Sequence, residues 1–183
     1  MKNNITTNLV TGFDGLSPKL KHLLNYDNVS RRINQRDEIV SLVQKLSCIL
    51  PMDVQEKAIS TLICILGEND YDLLIIAGHK YTWLNTIKIL SMAKYPKNQK
   101  ALPSLLLLFQ DLNWPGAIEG MHVLIKADKN ILIPMIETAI ESAFNSEDYM
   151  WLAGLKYFVE FAQITKDDFN EHNIHKMLEY AKW

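Results

Sequence analysis

Apolar residues recur every three or four positions from about Leu20 to the end of the chain, which is the spacing of one face of an α-helix. The sustained apolar–polar alternation that is typical of a half-buried strand is absent. Proline, glycine and helix-capping residues interrupt the helical pattern at short intervals. Short connections make successive helices antiparallel neighbours, so the sequence predicts an all-α fold.

The interruptions divide the chain into predicted segments. Residues 1–15 are predicted to be a loose arm because they carry two glycines and little periodicity. Helices are expected at about 18–26, 34–50, 54–66, 70–77, 82–94, 102–110, 115–126, 131–144 and 147–164, with a last one beginning after residue 165. Expected caps are Asp53, Asn113, Ser146 and Thr165, and Gly67 and Gly78 are expected to end helices.

Two stretches are similar to each other. Leu102-Pro103 and Ile133-Pro134 each open a predicted helix pair, and they lie about thirty residues apart, the length of one helix-pair repeat. We therefore expect antiparallel helix pairs stacked as a HEAT- or armadillo-like superhelix, within a single domain of residues 1–183. A compact irregular bundle is the alternative arrangement.

Composition restricts the class of protein. A net charge of −2 lacks the basic excess on which nucleic-acid binding depends, so direct nucleic-acid binding is not expected. Cys48 and Cys64 lie among apolar residues and are expected to be buried thiols, with a disulfide or redox pair as the alternative. The low cysteine usage favours a reducing compartment. The N-terminus lacks a signal-peptide pattern, and no apolar run is long enough to span a bilayer. A cytoplasmic protein is therefore expected.

No residue pattern predicts catalysis. The nucleophile elbow, the phosphate-binding loop and the dinucleotide fingerprint are all missing. His172 and His175 lie three residues apart near Glu171 and Glu179, but no further ligand converges on them, so solvated histidines are the favoured interpretation. We expect no catalytic residue, no metal and no cofactor, and hence a protein that is not an enzyme.

Charge is unevenly distributed along the chain. Every charged residue between positions 80 and 100 is a lysine, whereas acids outnumber lysines from Glu137 onward. An acidic surface steers a basic partner, and exposed tryptophan or tyrosine often anchors an interface. The candidate partner-binding residues are Glu147, Asp148, Trp151, Tyr157, Glu160 and Asp167. The alternative is that the acids solvate helix faces and that the tryptophan belongs to the core.

One block also resembles a known family. The stretch Leu102-Pro103-Ser104-Leu105-Leu106, followed by Gln110-Asp111-Leu112-Asn113-Trp114-Pro115-Gly116-Ala117, resembles an uncharacterised bacterial helical domain family marked by LP-x-LL and QDxNWPxA. Residues 132–136 match its L-I-P-x-I step, and Asp148 to Trp151 match its D-x-x-W step. The resemblance covers residues 97–160. Gly116 differs, since the family more often has a larger apolar residue there.

The resemblance implies a HEAT-like helical repeat without known catalysis. Small proteins of this type resemble the immunity proteins of bacterial toxin systems, including contact-dependent growth inhibition. The expected function is therefore to bind a cognate toxin domain, for example a nuclease, and to occlude its active site, as a monomer that forms a heterodimer. The main alternative is a HEAT-like scaffold for other protein partners. Nucleic-acid binding through the lysines of residues 80–100, and an unrecognised enzyme activity, are lesser alternatives.

Overall fold

The computed structural model describes residues 26–76, 78–171 and 173–181. The chain divides into two compact units, residues 1–41 and 42–183. The predicted arm of residues 1–15 and nearly all of the predicted helix at 18–26 lie outside the described residues. The first described helix, α1, spans Tyr26–Gln44 and crosses the boundary between the units. All the later described helices belong to the second unit.

The prediction of an all-α fold is confirmed, because the described residues form helices and no strand. After α1, the α-helices are α2 (Met52–Ile65), α3 (Lys80–Ala93), α4 (Leu102–Leu106), α5 (Ala117–Leu124), α6 (Lys129–Asn145), α7 (Tyr149–Phe161) and α8 (Ile174–Met177). Short 3₁₀ turns lie at Tyr71–Leu73, Gln99–Ala101, Leu107–Gln110, Lys166–Asp168 and Leu178–Tyr180.

The helices of the second unit pack in successive pairs. Helix α2 contacts α3, α4 contacts α5, and α6 contacts α7. Between pairs, α3 packs against α5 and α4 packs against α6. The core between them is almost entirely apolar, and the rings of Phe109 and Phe158 meet within it at a centroid distance of 5.1 Å. Burial of these apolar faces is what stabilises helices as short as α4 and α5.

A buried polar link joins α2 to α3. The side-chain amide of Asn85 donates to the carbonyl of Leu46 at 2.8 Å and to Oε1 of Gln55 at 2.7 Å. Gln55 in turn donates to the carbonyl of Leu50 at 2.6 Å. Because buried amides are costly unless they are paired, these bonds fix the chain that connects α1 to α2.

Several sequence predictions in the first half of the chain are wrong. Helix α1 ends at Gln44 rather than at residue 50, and Ile49, expected on its apolar stripe, is 74% exposed. Pro51 rather than Asp53 is the N-cap of α2, and Gly67 does not adopt a left-handed conformation. Of the predicted helix at 70–77, the described residues 70–76 form the 3₁₀ turn Tyr71–Leu73 instead of an α-helix.

The cysteine prediction is also wrong. Cys48 and Cys64 are both free and exposed. Cys48 follows the end of α1, where the chain leaves the core, and Cys64 is the penultimate residue of α2. Apolar neighbours in sequence did not imply burial at these positions, because each thiol lies on the solvent side of its segment.

The joint before α5 depends on glycine. Gly116 is the N-cap residue and has a φ of +90°, a left-handed conformation that favours glycine. A Cβ at this position would lie 3.0 Å from Cγ1 of Ile87 in α3. Asn113 was predicted to cap this helix, but its backbone N–H instead donates to Asp111 within the preceding turn. Glycine therefore suits the close packing of this joint against α3.

Candidate protein-binding surface

Helix α5 buries one apolar stripe and leaves other apolar residues exposed. One face is buried and carries Ala117, Met121 and Leu124. Ile118, His122 and Ile125 each follow one of these residues by one position, so their stripe is rotated by about 100° around the helix, and all three are exposed. The exposed side of α5 therefore combines the apolar side chains of Ile118 and Ile125 with the polar side chains of Glu119 and His122.

Helix α7 repeats this arrangement. Its inner face is buried, whereas Tyr157, Glu160 and Phe161 lie on its outer face at helical spacing. The inner face fits closely, because an ideal Cβ on Gly154 would overlap the carbonyl oxygen of Phe109. Helix α7 is therefore pressed against the turn Leu107–Gln110, and its outer face stays in solvent.

An aromatic contact joins the two outer faces. The imidazole of His122 and the ring of Phe161 meet edge to face, with centroids 5.1 Å apart and an interplanar angle of 83°. The result is one exposed surface, which we call the α5–α7 surface and define as Ile118, His122, Ile125, Tyr157, Glu160 and Phe161. Its four large apolar residues are 36–46% exposed. Exposed apolar clusters of this kind commonly mark protein interaction sites.

Two of the six predicted partner-binding residues, Tyr157 and Glu160, lie on this surface. Trp151 does not, because it is only 8% exposed and its indole N–H donates to the carbonyl of Leu106 at 2.8 Å. This tryptophan anchors α7 to the end of α4. Trp151 is therefore a core residue, which was the alternative interpretation of the sequence, and not an exposed partner-binding residue.

Glu147 and Asp148 lie at the start of α7. Asp148, rather than Ser146, is the N-cap residue, and its carboxylate accepts a hydrogen bond from the backbone N–H of Trp151 at 2.9 Å. This bond satisfies one of the free N–H groups of the first turn. Glu147 precedes it with a φ of +55° and an exposed side chain.

Asp167 is exposed in the turn that follows α7. Its neighbour Asp168 completes a capping box with the predicted cap, Thr165: the backbone N–H of Thr165 donates to Oδ2 at 2.8 Å, and the ammonium of Lys129 donates to Oδ1 at 2.9 Å. The Thr165 backbone hydrogen bond, followed by the Lys129 ammonium, lowers the pKa of Asp168 from 3.8 to about 2. Asp168 is therefore a structural carboxylate, whereas Asp167 is free to face a partner.

Sequence reasoning missed a third structural acid, Glu137. It is buried in α6 and accepts hydrogen bonds from the backbone N–H and side-chain amide of Asn170 and from the backbone N–H of Glu171. These bonds hold the C-terminal segment against α6 and help to explain why the last predicted helix is broken into short pieces. The only signal in the sequence is an acid at a position whose neighbours, Ile136 and Ile140, are core residues.

Glu137, Asp148 and Asp168 have structural roles, but most other acids near the C-terminal end do not. In the described part of the chain beyond residue 137, six acids make no side-chain hydrogen bond or ion pair: Glu141, Glu147, Glu160, Asp167, Glu171 and Glu179. Lys156, Lys166 and Lys176 are the exposed cations that oppose them there. This end of the molecule therefore presents an acidic exterior. The lysines of residues 80–100 are likewise exposed, on α3 and the loop that follows it.

No metal-binding cluster occurs among the described residues, which contain no group of three or more histidine, cysteine or acidic side chains suited to an ion. His175 is exposed, and His172 lies outside the described residues. None of the helices described is both long enough and apolar enough to cross a membrane.

Comparisons of the chain with protein-family models, with curated proteins and with solved structures find no match. The resemblance of residues 97–160 to a bacterial helical family therefore stays a prediction from the sequence block. The composition of the α5–α7 surface, with its exposed aromatic, aliphatic and acidic side chains, is the basis for a functional proposal.

Proposed function

We propose that the protein is an immunity protein, which binds a cognate toxin domain through the α5–α7 surface and blocks its active site. The observation that carries this proposal is the His122–Phe161 contact, which merges two outward apolar faces into one surface. Tyr157 and Phe161 are the proposed anchors, since a few central aromatic residues supply most of the energy of many interfaces.

The charge around this surface supports a basic partner. Glu160 lies on the surface itself, and Glu147 and Asp167 flank the two ends of α7 without a side-chain partner among the described residues. Unpaired carboxylates raise the association rate with a positively charged cleft and disfavour acidic competitors. A nuclease toxin has such a cleft, because its substrate is a polyanion.

We further propose that the helix pairs form a HEAT-like stack. In such a stack the first helices of successive pairs adjoin each other, and so do the second helices. The contacts of α4 with α6 and of α3 with α5 fit this arrangement, and the ring contact between α5 and α7 continues it. The same architecture supports the second candidate function, a scaffold for other protein partners, which would use the same surface without neutralising a toxin.

Co-expression tests the immunity function directly. The toxin domain encoded by a neighbouring large reading frame is expressed with and without this protein, and growth is scored. We expect the protein to restore growth and to co-purify with a catalytically inactive form of the toxin at a ratio of one to one. Binding without restored growth would favour the scaffold, whereas neither binding nor rescue would remove that toxin as the partner.

The electrostatic part of the proposal has its own test. Reversing charge at Glu147, Glu160 and Asp167 is expected to slow association with the toxin and to weaken its dependence on salt, because rim charges act mainly on the encounter step. Stopped-flow association rates at several salt concentrations measure both effects. A matched reversal of three acids, Asp53, Glu56 and Glu68, which are exposed on or after α2, should leave the rate nearly unchanged. Equal effects from both sets would contradict the assigned surface.

A further inference from the structure

An open apolar groove lies between α4 and α6, among residues that take no part in the α5–α7 surface. Its volume is about 420 Å³, which is within the range of small-molecule sites. One wall carries Ser104 and Leu107, the other carries Met135, Thr138 and Ser142, and Trp151 completes the lining. We call it the α4–α6 groove.

The groove lacks charge. None of the nine residues that line it is acidic, basic or histidine, and all nine lie in the described part of the chain. A charged ligand would lose hydration on entry and meet no opposite charge, which is costly. The lining therefore favours an uncharged molecule.

The hydrogen-bonding groups of the lining are almost all in use. Thr138 donates to the carbonyl of Pro134 at 2.8 Å, and Ser142 donates to the carbonyl of Thr138 at 2.8 Å. The indole N–H of Trp151 is held by Leu106, so this side chain offers the groove only its ring carbons. Of the lining side chains, Ser104 alone keeps a hydroxyl proton without a partner among the described residues.

We infer that the α4–α6 groove binds an uncharged, ring-containing small molecule that carries a single polar group. The ring would pack on Met135, Leu107 and the carbon atoms of Trp151, where aromatic and sulfur–aromatic contacts are favourable. The polar group would accept a hydrogen bond from Ser104. This site is independent of the proposed toxin-binding function, because it uses different residues and a different kind of ligand.

A matched pair of probes tests the charge preference. The ¹⁵N- and methyl-labelled protein is titrated with 2-naphthol and, separately, with 2-naphthoate, which has the same rings but a negative charge. We expect 2-naphthol to cause saturable shifts at the Trp151 indole N–H and the Met135 methyl group, with an affinity at least about 10-fold higher than that of 2-naphthoate. Equal affinities, or shifts that lie elsewhere on the molecule, would overturn the inference.

Variants locate the site. Ser142→Trp places a large ring in the groove and should abolish 2-naphthol binding, whereas Asn145→Trp, exposed on the same helix but outside the lining, should leave it unchanged. Ser104→Ala should weaken binding about 3- to 10-fold, the effect of one hydrogen bond.

A second variant tests the charge preference of the groove. Because Thr138 is exposed, Thr138→Lys should fold normally, and it should reverse the preference in favour of 2-naphthoate. Unchanged binding in Ser142→Trp and Thr138→Lys would refute the site.

Discussion

The absence of a Cβ atom at Gly154 allows α7 to pack directly against the backbone of Phe109. An ideal Cβ at Gly154 would overlap the carbonyl oxygen of Phe109, whereas one at Gly120 would find its nearest neighbour at 3.5 Å. Both glycines lie inside helices with ordinary φ values, so alanine would be the better helix former at either position. The difference between the two sites is therefore one of space alone.

This difference gives a paired prediction. Gly154→Ala is expected to lower the free energy of unfolding by about 2–3 kcal/mol, because α7 must move away from the Leu107–Gln110 turn. Gly120→Ala is expected to be neutral or to stabilise the protein by up to about 1 kcal/mol. Chemical denaturation measures both values. A stabilising Gly154→Ala would contradict the packing described for α7.

A second prediction for a single residue concerns pH. The pKa of Asp168 is about 2 in the folded protein and 3.8 without its partners, because Thr165 and Lys129 stabilise the carboxylate. A lowered pKa means that the stabilising contribution is present above pH 3.8 and is lost as pH falls through about 2. Carboxyl-carbon NMR should report this low pKa, and Lys129→Met should raise it. A wild-type pKa near 3.8 would count against the capping box.

Prediction from the sequence worked best at single turn-forming residues whose partners are nearby. The Thr165 cap was predicted correctly, since it depends on neighbours within a few positions. Gly78 has a positive φ but does not end the expected helix, since the described part of that segment forms the 3₁₀ turn Tyr71–Leu73. The surroundings of Trp151 were not predictable, because its hydrogen-bond partner, Leu106, lies 45 residues away. Cys64 shows the same limit, because apolar neighbours on a helix do not reveal which face is buried.

Among the elements, α6 and the C-terminal segment depend on one buried carboxylate. The sequence predicted a last helix beginning after Thr165, but the described residues there form the 3₁₀ turn Lys166–Asp168, the short α8 and the 3₁₀ turn Leu178–Tyr180. The backbone N–H groups of Asn170 and Glu171 bond to Glu137 instead of extending a helix. A tertiary contact thus overrides a local helical preference.

We predict that Glu137→Gln lowers the free energy of unfolding by about 1–3 kcal/mol, because it weakens three hydrogen bonds to a buried charged acceptor. Hydrogen exchange at the Asn170 and Glu171 amides should accelerate. Glu141→Gln, one turn later on α6 and without a side-chain partner among the described residues, is the matched control and should change stability by less than about 0.5 kcal/mol. Similar effects of the two variants would contradict the role of Glu137 in holding the C-terminal segment.

The sequence predicts helices α5 and α7, but it does not predict that their outer faces lie side by side. The predicted helix ending at 126 and the predicted helix at 147–164 correspond to α5 and α7, with ends that differ by a few residues. The apolar spacing of Ile118 and Ile125 is readable in the sequence as a second face. That this face adjoins Tyr157 and Phe161 follows only from the tertiary contact of His122 with Phe161.

Across the molecule as a whole, the second unit presents chemically distinct surfaces. The α5–α7 surface combines four large apolar side chains with His122 and Glu160, and the α4–α6 groove is uncharged. A protein partner and a small neutral ligand would therefore be recognised at separate places.

The most direct test of the α5–α7 surface is to measure the affinity for the toxin by titration calorimetry. Two tyrosine variants are compared, one on this surface and one away from it. Tyr157 is 46% exposed on the α5–α7 surface, and Tyr81 is 50% exposed on α3 away from it. We predict that Tyr157→Ala weakens binding by about 2 kcal/mol or more, roughly 30-fold, while Tyr81→Ala stays within about 2-fold of the wild type. Wild-type affinity in Tyr157→Ala, or an equal loss in both variants, would contradict the assignment of the α5–α7 surface.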